Sequence, residues 1–477
     1  MSISSIWKDR YLNTVPETLS GAKNVTGVVS AFNSNIDAIL PVSGADLSSW
    51  ISRFGFSVDE LLADGVRAIN TPSDLFRGII RCFQRGIAEE WLIFDEDTFK
   101  WTSDNLGYKR LQMGGQGGIV ANAAAVSGVQ NVYVHCASLP KEQSQLFLPL
   151  DNLKSFTTEG ELVKASDISR NDLGLIHWII EFSKGDTLEL PGHDVIICPK
   201  SNRFIATFDP LNLTLTIDPA FRNVVKHPFS LVFLSGYHML TSTLPDGRKS
   251  RDRIIESLEV IDEWKKNRDV LVHLELASTQ DETVRREIVD LVAPHCHSTG
   301  CNERELIDVL MVVGEEELAG VIDKDTSAVN VFKGLVRLFT KLTVDRIQLH
   351  MFGLYITVQR REFRSKLSLE KNLRGMLMAA VVASSKASTG EINSFDSLTH
   401  SLRTDFTGAA DHAIKELTSV SEYIANEMKG PNTLAETGIV ELPEFDVIAA
   451  PTIIVPRPKT LVGMGDTIGI SKLIGAL

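Results

Sequence analysis

Apolar positions along the chain alternate between short β-rich runs and longer stretches with helical spacing, and their order predicts an α/β fold. Residues 25–32 form a β-rich apolar run that ends in the polar turn Asn33-Ser34-Asn35-Ile36-Asp37, a first strand delivering side chains at its C-terminal end. A glycine-rich turn at residues 114–118 runs into an alanine-rich helix and then a strand at 131–137. From Leu231 the alternation is regular: a strand to Ser235, a charged helix at 251–266, a strand at 269–276, helices at 281–292 and 303–313, strands at 346–351 and 355–358, and a small-residue helix at 373–385. Such alternation predicts a mostly parallel sheet flanked by helices.

Two stretches break the pattern. Residues 40–109 hold short amphipathic segments, many acids and tryptophans expected at the surface, with Glu89-Glu90-Trp91-Leu92-Ile93 among them. Residues 146–225 contain the alternating run His177-Trp178-Ile179-Ile180-Glu181-Phe182, followed by Lys184 and Arg203. These predict a smaller β-rich lid domain at 39–111 and 141–227, inserted into a large domain at 1–38, 112–140 and 228–477.

The 477 residues with 43% hydrophobic content allow one large core and a second, smaller one. A net charge of −13 argues against a nucleic-acid or anionic-membrane surface. Five scattered cysteines make no disulfide framework and predict a reducing, cytoplasmic setting. The polar, mixed-charge opening does not read as a signal peptide, and apolar runs such as 375–383 and 447–455 are too short to span a bilayer.

Candidate chemistry concentrates at Gly463-Met464-Gly465-Asp466. The two glycines let the backbone pass close to a charged group, and a helix starting at Thr467 adds its positive end. Asp466 then sits where a carboxylate can take a proton from an attacking hydroxyl while amides stabilise a phosphoryl group. A glycine loop with a capping Asp explains the same residues without chemistry. The 114–118 turn has neither the Walker Lys-Ser/Thr ending nor Rossmann spacing, so close approach to a small polar ligand explains it better. His273 and Glu275 share one side of a strand, and Asn302 and Glu305 share one helix face if their segment is helical. Carboxylates with an amide oxygen suit Mg²⁺. The apolar loop Ile453-Ile454-Val455-Pro456 could flank a purine base, although core packing is the commoner use of such composition.

Taken together, Asn33-x-Asn35-Ile36-Asp37, Gly114-Gly115-Gln116-x-Gly118-Ile119-x-Ala121-Asn122, Asn202-Arg203-Phe204-Ile205, Ser235-Gly236-Tyr237, His273-x-Glu275-x-Ala277-Ser278, Asn302-x-x-Glu305 and Gly463-x-Gly465-Asp466-Thr467-Ile468 resemble the archaeal ADP-dependent sugar kinases. These are phosphofructokinases and glucokinases of the ribokinase-like superfamily, and the resemblance runs from about residue 25 to the C-terminus. It implies a large α/β domain with a lid, ADP as donor, AMP as product and Mg²⁺ as cofactor, in a modified glycolysis. By resemblance Asp466 is the catalytic base, and Gly463, Met464 and Gly465 form the anion hole. Glu275, Asn302, Glu305 and Asp466 hold the metal or its waters. Asn33, Asn35, Asp37, Gly115 and Gln116 hold sugar hydroxyls, and Ile453, Ile454, Val455 and Gly463 flank the nucleotide.

Sugar choice divides the resemblance. Lys184 and Arg203 match positions where the phosphofructokinase branch binds the 6-phosphate, whereas Glu90 and His177 match the glucokinase branch. A Glu beside a sugar phosphate repels it unless a cation offsets the charge. Losing a phosphate partner forfeits bonds of roughly 1.5–3 kcal/mol each, so the cations weigh more and fructose 6-phosphate is the expected substrate. Glucose is the alternative. An ATP-dependent ribokinase-like sugar kinase is a further one, although His273-x-Glu275 with Asn302-x-x-Glu305 looks like the ADP branch.

Overall fold

The computed structural model describes residues 2–65, 67–279, 281–404, 406 and 408–477. At its centre the strand Val28–Ala31, buried at every position, pairs in parallel with Leu231–Leu234 on one side and Val132–Val134 on the other. The sheet continues in parallel through Leu271–Glu275, Ser298–Cys301 and Arg346–Met351. It then reverses through Leu354–Gln359, Asp446–Pro451 and Ile439–Glu441, and ends at its other edge with Leu153–Phe156 and Leu162–Lys164. Eleven strands result, flanked by helices, as the alternation predicts. Parallel strands covered on both faces read as unbroken apolar runs, which is why 231–234 is Leu-Val-Phe-Leu.

The helix Leu369–Thr389 packs along the C-terminal helix Met464–Ala476. A Cβ on Gly375 would stand 2.1 Å from the Lys472 carbonyl oxygen, so the small residues of this helix set how closely the two backbones approach. The opening of the chain, expected only as a polar stretch, is the helix Ile3–Gly21. Its Trp7, Tyr11 and Val15, four apart, are fully buried, and Trp7 Nε1 donates to the Ala435 carbonyl at 2.8 Å.

A second sheet orders Glu89–Leu92, Asn202–Phe208, Ile176–Phe182, Asn35–Pro41 and Arg110–Gly114. Trp178, Ile180, Phe204 and Ala206 face a separate core with Phe76, Ile79 and Phe83 of the helix Pro72–Arg85. The opposite face, by the period of two, carries Asp37, His177 and Thr207 side by side on neighbouring strands.

Three expectations need correction. The strands within 153–164 extend the large sheet rather than the small one, because Leu153 and Phe156 join the large core and Arg170, bonded to Asp218 at 2.6 Å, ties the following loop to it. Apolar alternation looks the same for either sheet. Conversely, Asn35 and Asp37 are strand residues of the small sheet, not a turn closing the first strand. The tryptophans of 40–109 are not surface groups: Trp91 is buried, and Trp50 and Trp101 pack on Phe76 and Phe54. Among the described residues no helix is long and apolar enough to cross a membrane.

Candidate active site

The C-terminal helix starts at Met464, three residues earlier than expected, with Asp466 in its first turn and Gly463 as N-cap. Gly463 adopts φ 61°, and a Cβ there would stand 2.6 Å from Ile119 Cδ1, so backbone and space both require glycine. The first-turn amides have no intrahelical acceptor and form an anion-binding end. Lys386, from the small-residue helix, donates to the Gly463 carbonyl at 3.1 Å and to Thr467 Oγ1 at 3.0 Å. It fixes the loop and adds a cation beside it. Burial holds its ammonium down at about 8, although Asp466 pulls the other way.

Burial, then the charge of Glu275, push the Asp466 carboxyl up to about 6, against a hydrogen bond from the Gln116 side chain and the charge of Lys386. Such a carboxylate is ionised at neutral pH yet a stronger base than a free Asp. Gln116 Oε1 also accepts from the Gly236 amide at 3.3 Å, so it links the 114–118 turn to the anion loop.

That turn closes on the first strand's polar end. Gly115 has φ 72°, and a Cβ on Gly114 would stand 2.1 Å from Asp37 Oδ1. Asn35 Nδ2 donates to Asp37 Oδ1 at 2.9 Å, the Ser235 hydroxyl donates to Asn33 Oδ1 at 3.3 Å, and the Gly117 amide donates to the Asn33 carbonyl at 2.8 Å. Asn33, Asn35, Asp37, Gly115 and Gln116 therefore converge. Glu90 joins them, accepting from the Thr207 hydroxyl at 2.6 Å, as does His177, whose Nε2 lies 3.0 Å from Asp209 Oδ2. Lys184 and Arg203 are exposed and enter no ion pair among the described residues. Arg203 lies opposite Glu181, four residues from Thr207 on the same face, or about 13 Å along the strand. Arg203 is thus toward the outer end of the open face, two residues along from the register position of Glu90 and four from that of His177. Arg110, Gln112, Ile119, Lys386 and Thr467 line a cleft of ≈ 1320 Å³, its open mouth included.

A carboxylate group lies under the loop. Glu275 Oε2 lies 2.8 Å from His273 Nε2, and Cβ atoms on Gly300 and Gly469 would stand 2.1 and 2.7 Å from the same oxygen. Glu275 Oε1 is buried with no hydrogen-bond partner. Burial lifts this carboxyl to about 8 despite the charges of Lys472 and Arg346. Burial also holds His273 well below its ordinary value, so the His273 contact is a hydrogen bond with a neutral ring and not an ion pair. Glu305 is raised by burial and by the charges of Glu275 and Asp466, which places the three carboxylates in one field. Asn302 is the N-cap of the helix Glu303–Val312 rather than part of its face. It forms a reciprocal capping box with Glu305: the Asn302 amide donates to Glu305 Oε2 at 2.8 Å, and Asn302 Nδ2 donates to Oε1 at 2.9 Å.

Ile453, Ile454 and Val455 line a pocket of ≈ 760 Å³, open mouth included, with Ser388, Ser401 and Phe406. Ser388 is two residues from Lys386, so this pocket adjoins the anion loop. Residues not foreseen from the sequence are Lys386, Asp209, Asn212, His238, Arg346 and Lys472. Each is remote in sequence from the motif it serves, and only the glycine turns marked the places where they converge.

The profile of the ADP-specific Phosphofructokinase/Glucokinase conserved region matches residues 26–475. An ADP-specific phosphofructokinase of Methanosarcina acetivorans is 28% identical, over 99% of this chain and 97% of its own. An ADP-dependent glucose/glucosamine kinase of Pyrococcus furiosus is 32% identical, over 98% of both. The solved structure of the last common ancestor of ADP-dependent phosphofructokinases from Methanosarcinales superposes with a TM-score of 0.88 at 30% identity, covering 100% of this chain and 99% of that one. The chain belongs to the ADP-specific phosphofructokinase/glucokinase family.

Proposed function

We propose that the chain transfers the terminal phosphoryl group of ADP to the 1-hydroxyl of fructose 6-phosphate, giving fructose 1,6-bisphosphate and AMP. The observation that carries this reading is Asp466: a buried carboxylate in the first turn of a helix, bonded by Gln116 of the sugar turn and flanked by free amides and Lys386. Asp466 accepts the hydroxyl proton as the new O–P bond forms. The first-turn amides and Lys386 take up charge on the transferring group, which is most of what phosphoryl transfer asks of a protein. The adenine would rest against Ile453, Ile454 and Val455, one pocket along from the loop.

Glu275, Glu305 and Asp466 fit a divalent cation. Glu275 raises the proton affinity of both Glu305 and Asp466, and its buried Oε1, 3.9 Å from His350 Nδ1, has no hydrogen-bond partner. Among the described residues no three His, Cys, Asp or Glu side chains alone form a metal cage, which suits Mg²⁺, an ion that keeps waters and phosphate oxygens in its shell. Bound there, Mg²⁺ would supply neutralising charge to the donor phosphates. Asn302 serves the site by holding Glu305. We place the enzyme in the cytoplasm, where its five free, buried cysteines stay reduced.

Glucose is the second reading, favoured by one observation: Glu90, His177 and Asp37 lie together on one face of the small sheet, while Arg203 is further along the same face and exposed. Arg203→Ala decides between the sugars. If the 6-phosphate reaches Arg203, the variant raises KM for fructose 6-phosphate by roughly tenfold or more, the worth of one charge-assisted bond, and leaves KM for glucose unchanged. Equal KM changes for both sugars would remove the phosphate role from Arg203. Product analysis tests the reaction itself: AMP and fructose 1,6-bisphosphate are expected in equal amounts.

A further inference from the structure

The inner end of the sugar pocket contains a hydrogen-bonded pair that no motif announced. His177 Nε2 and Asp209 Oδ2 are 3.0 Å apart, and the Asp209 carboxylate is fully buried while the His177 ring remains 13% exposed. Asn212 clamps the carboxylate: its amide donates to Asp209 Oδ1 at 3.1 Å, and its Nδ2 donates to Oδ2 at 2.8 Å and to the Ser34 carbonyl at 3.1 Å. Asp209 thus stands just beyond the strand Asn202–Phe208, anchored to the segment that carries Asn33 and Asn35.

We propose that Asp209 is the positioning residue for sugar recognition: clamped by Asn212, it accepts the Nε2–H of His177 and so presents Nδ1–H as a fixed donor to a sugar oxygen. This deepens the reading above and rests on it. An imidazole with one nitrogen committed to a carboxylate has only the other to offer, and whether that nitrogen donates or accepts depends on the ring's charge. A donor suits oxygens that carry no hydrogen, such as a ring oxygen or a ketose carbonyl, and also holds a hydroxyl already donating to Glu90 or Asp37.

The charged groups around the ring support the donor state. Glu90 from the strand Glu89–Leu92, Asp37 from Asn35–Pro41, Asp209, and His238 from the turn Tyr237–Met239 are the titratable groups that face it. Burial alone would lower His177, but Asp209, then Glu90 and Asp37, raise it to about 9. His238 is held neutral by burial, at about 4, and adds no competing charge at neutral pH. His177 carries its extra proton below about pH 9, so Nδ1 is a donor throughout the neutral range. Asp209→Asn keeps an oxygen for Nε2–H but removes the largest raising influence on the ring, which then gives up its extra proton at a lower pH.

The test is calorimetric binding of glucose and of fructose 6-phosphate to the full chain from pH 5.5 to 8.5. Wild type is expected to hold its sugar affinity across that range. Asp209→Asn is expected to bind nearly as wild type at pH 5.5 and to lose roughly tenfold or more by pH 8, once Nδ1 has become an acceptor. Wild-type affinity in the variant at every pH overturns the proposal. So does a loss that is equal at every pH, since that marks a scaffold role only. If Asp209→Asn does not fold, NMR titration of the wild-type imidazoles decides, with the His177 resonance identified by its loss in His177→Gln. A midpoint near 9 is expected, and one at or below 6.5 overturns the proposal. Wild type that binds neither sugar overturns the sugar-kinase reading itself, which the NMR midpoint leaves separate.

Discussion

Asp466→Asn is expected to lower kcat by roughly 10²–10⁴ while leaving the dissociation constant of the sugar within a few-fold of wild type. The substitution keeps size and the hydrogen bond from Gln116 but removes the base. The position is buried, and the native carboxyl is already raised by burial, so a neutral amide is tolerated there and the fold should persist. The same geometry sets the acid limb of wild-type kcat. Asp466 acts only when ionised, and burial and Glu275 hold its carboxyl up at about 6, so activity should fall as the pH drops through that value rather than near 4. A variant turning over within threefold of wild type would show that proton removal from the sugar does not depend on Asp466.

The second large effect is expected from a residue that touches no ligand. Gly300→Ala puts a Cβ 2.1 Å from Glu275 Oε2, and the carboxylate cannot retreat because Gly469 closes on it from the other side, with only 2.7 Å available to a Cβ. The carboxylate must shift and its His273 bond at 2.8 Å must break. A displacement of about 1 Å in a phosphoryl-transfer site costs on the order of 10² in turnover, and that loss is expected in kcat with sugar KM unchanged. Glu275→Asp, one methylene shorter, makes room for the new methyl. The double variant should recover part of the lost rate, which a simple packing defect would not. Wild-type kcat in Gly300→Ala would mean that the position of Glu275 does not matter to the reaction.

Both predictions turn on acids that could be read from the sequence, Asp466 and Glu275, whereas the closeness of Gly300 to Glu275 is visible only in the fold, and the reason is physical. Gly114-Gly115 and Gly463 exist because another group approaches the backbone within a Cβ's radius, and that need is visible wherever glycines cluster before a helix. Asp466 was legible because it lies in one of those same short stretches, and Asn33 to Asp37 because they are a polar segment closing an apolar run. Asp209 and Lys386 were not. Asp209-Pro210 looks like any turn, and Lys386 looks like the basic end of a helix. Their roles come from contacts with His177, 32 residues away, and with Gly463, 77 residues away. Arg346 and Lys472, fully buried cations near Glu275, are placed by a strand and a helix that meet only in the folded sheet.

The fold divides in the same way. The elements foreseen from 231 onward followed from alternation, since buried parallel strands and amphipathic helices leave different periods, whereas the strand Ser298–Cys301 and the helices Glu316–Lys324, Ala328–Lys341 and Asp411–Glu427 were not foreseen. Sheet membership did not. Leu153–Phe156 and Ile176–Phe182 have similar patterns, yet one extends the large sheet and the other pairs with Asn35–Pro41, because a strand's neighbours are chosen by connections and not by its own residues. The helix Ile3–Gly21 was hidden among polar residues, although Trp7, Tyr11 and Val15 keep the spacing of one buried stripe.

The central claim is ADP-dependent transfer to a sugar, with fructose 6-phosphate as acceptor. Its most direct test is kcat/KM with Mg²⁺ in four combinations, ADP or ATP as donor against fructose 6-phosphate or glucose as acceptor. The account predicts turnover with ADP, highest with fructose 6-phosphate. Turnover with ATP and none with ADP would contradict the donor assignment, and ADP-driven turnover of glucose alone would contradict the acceptor.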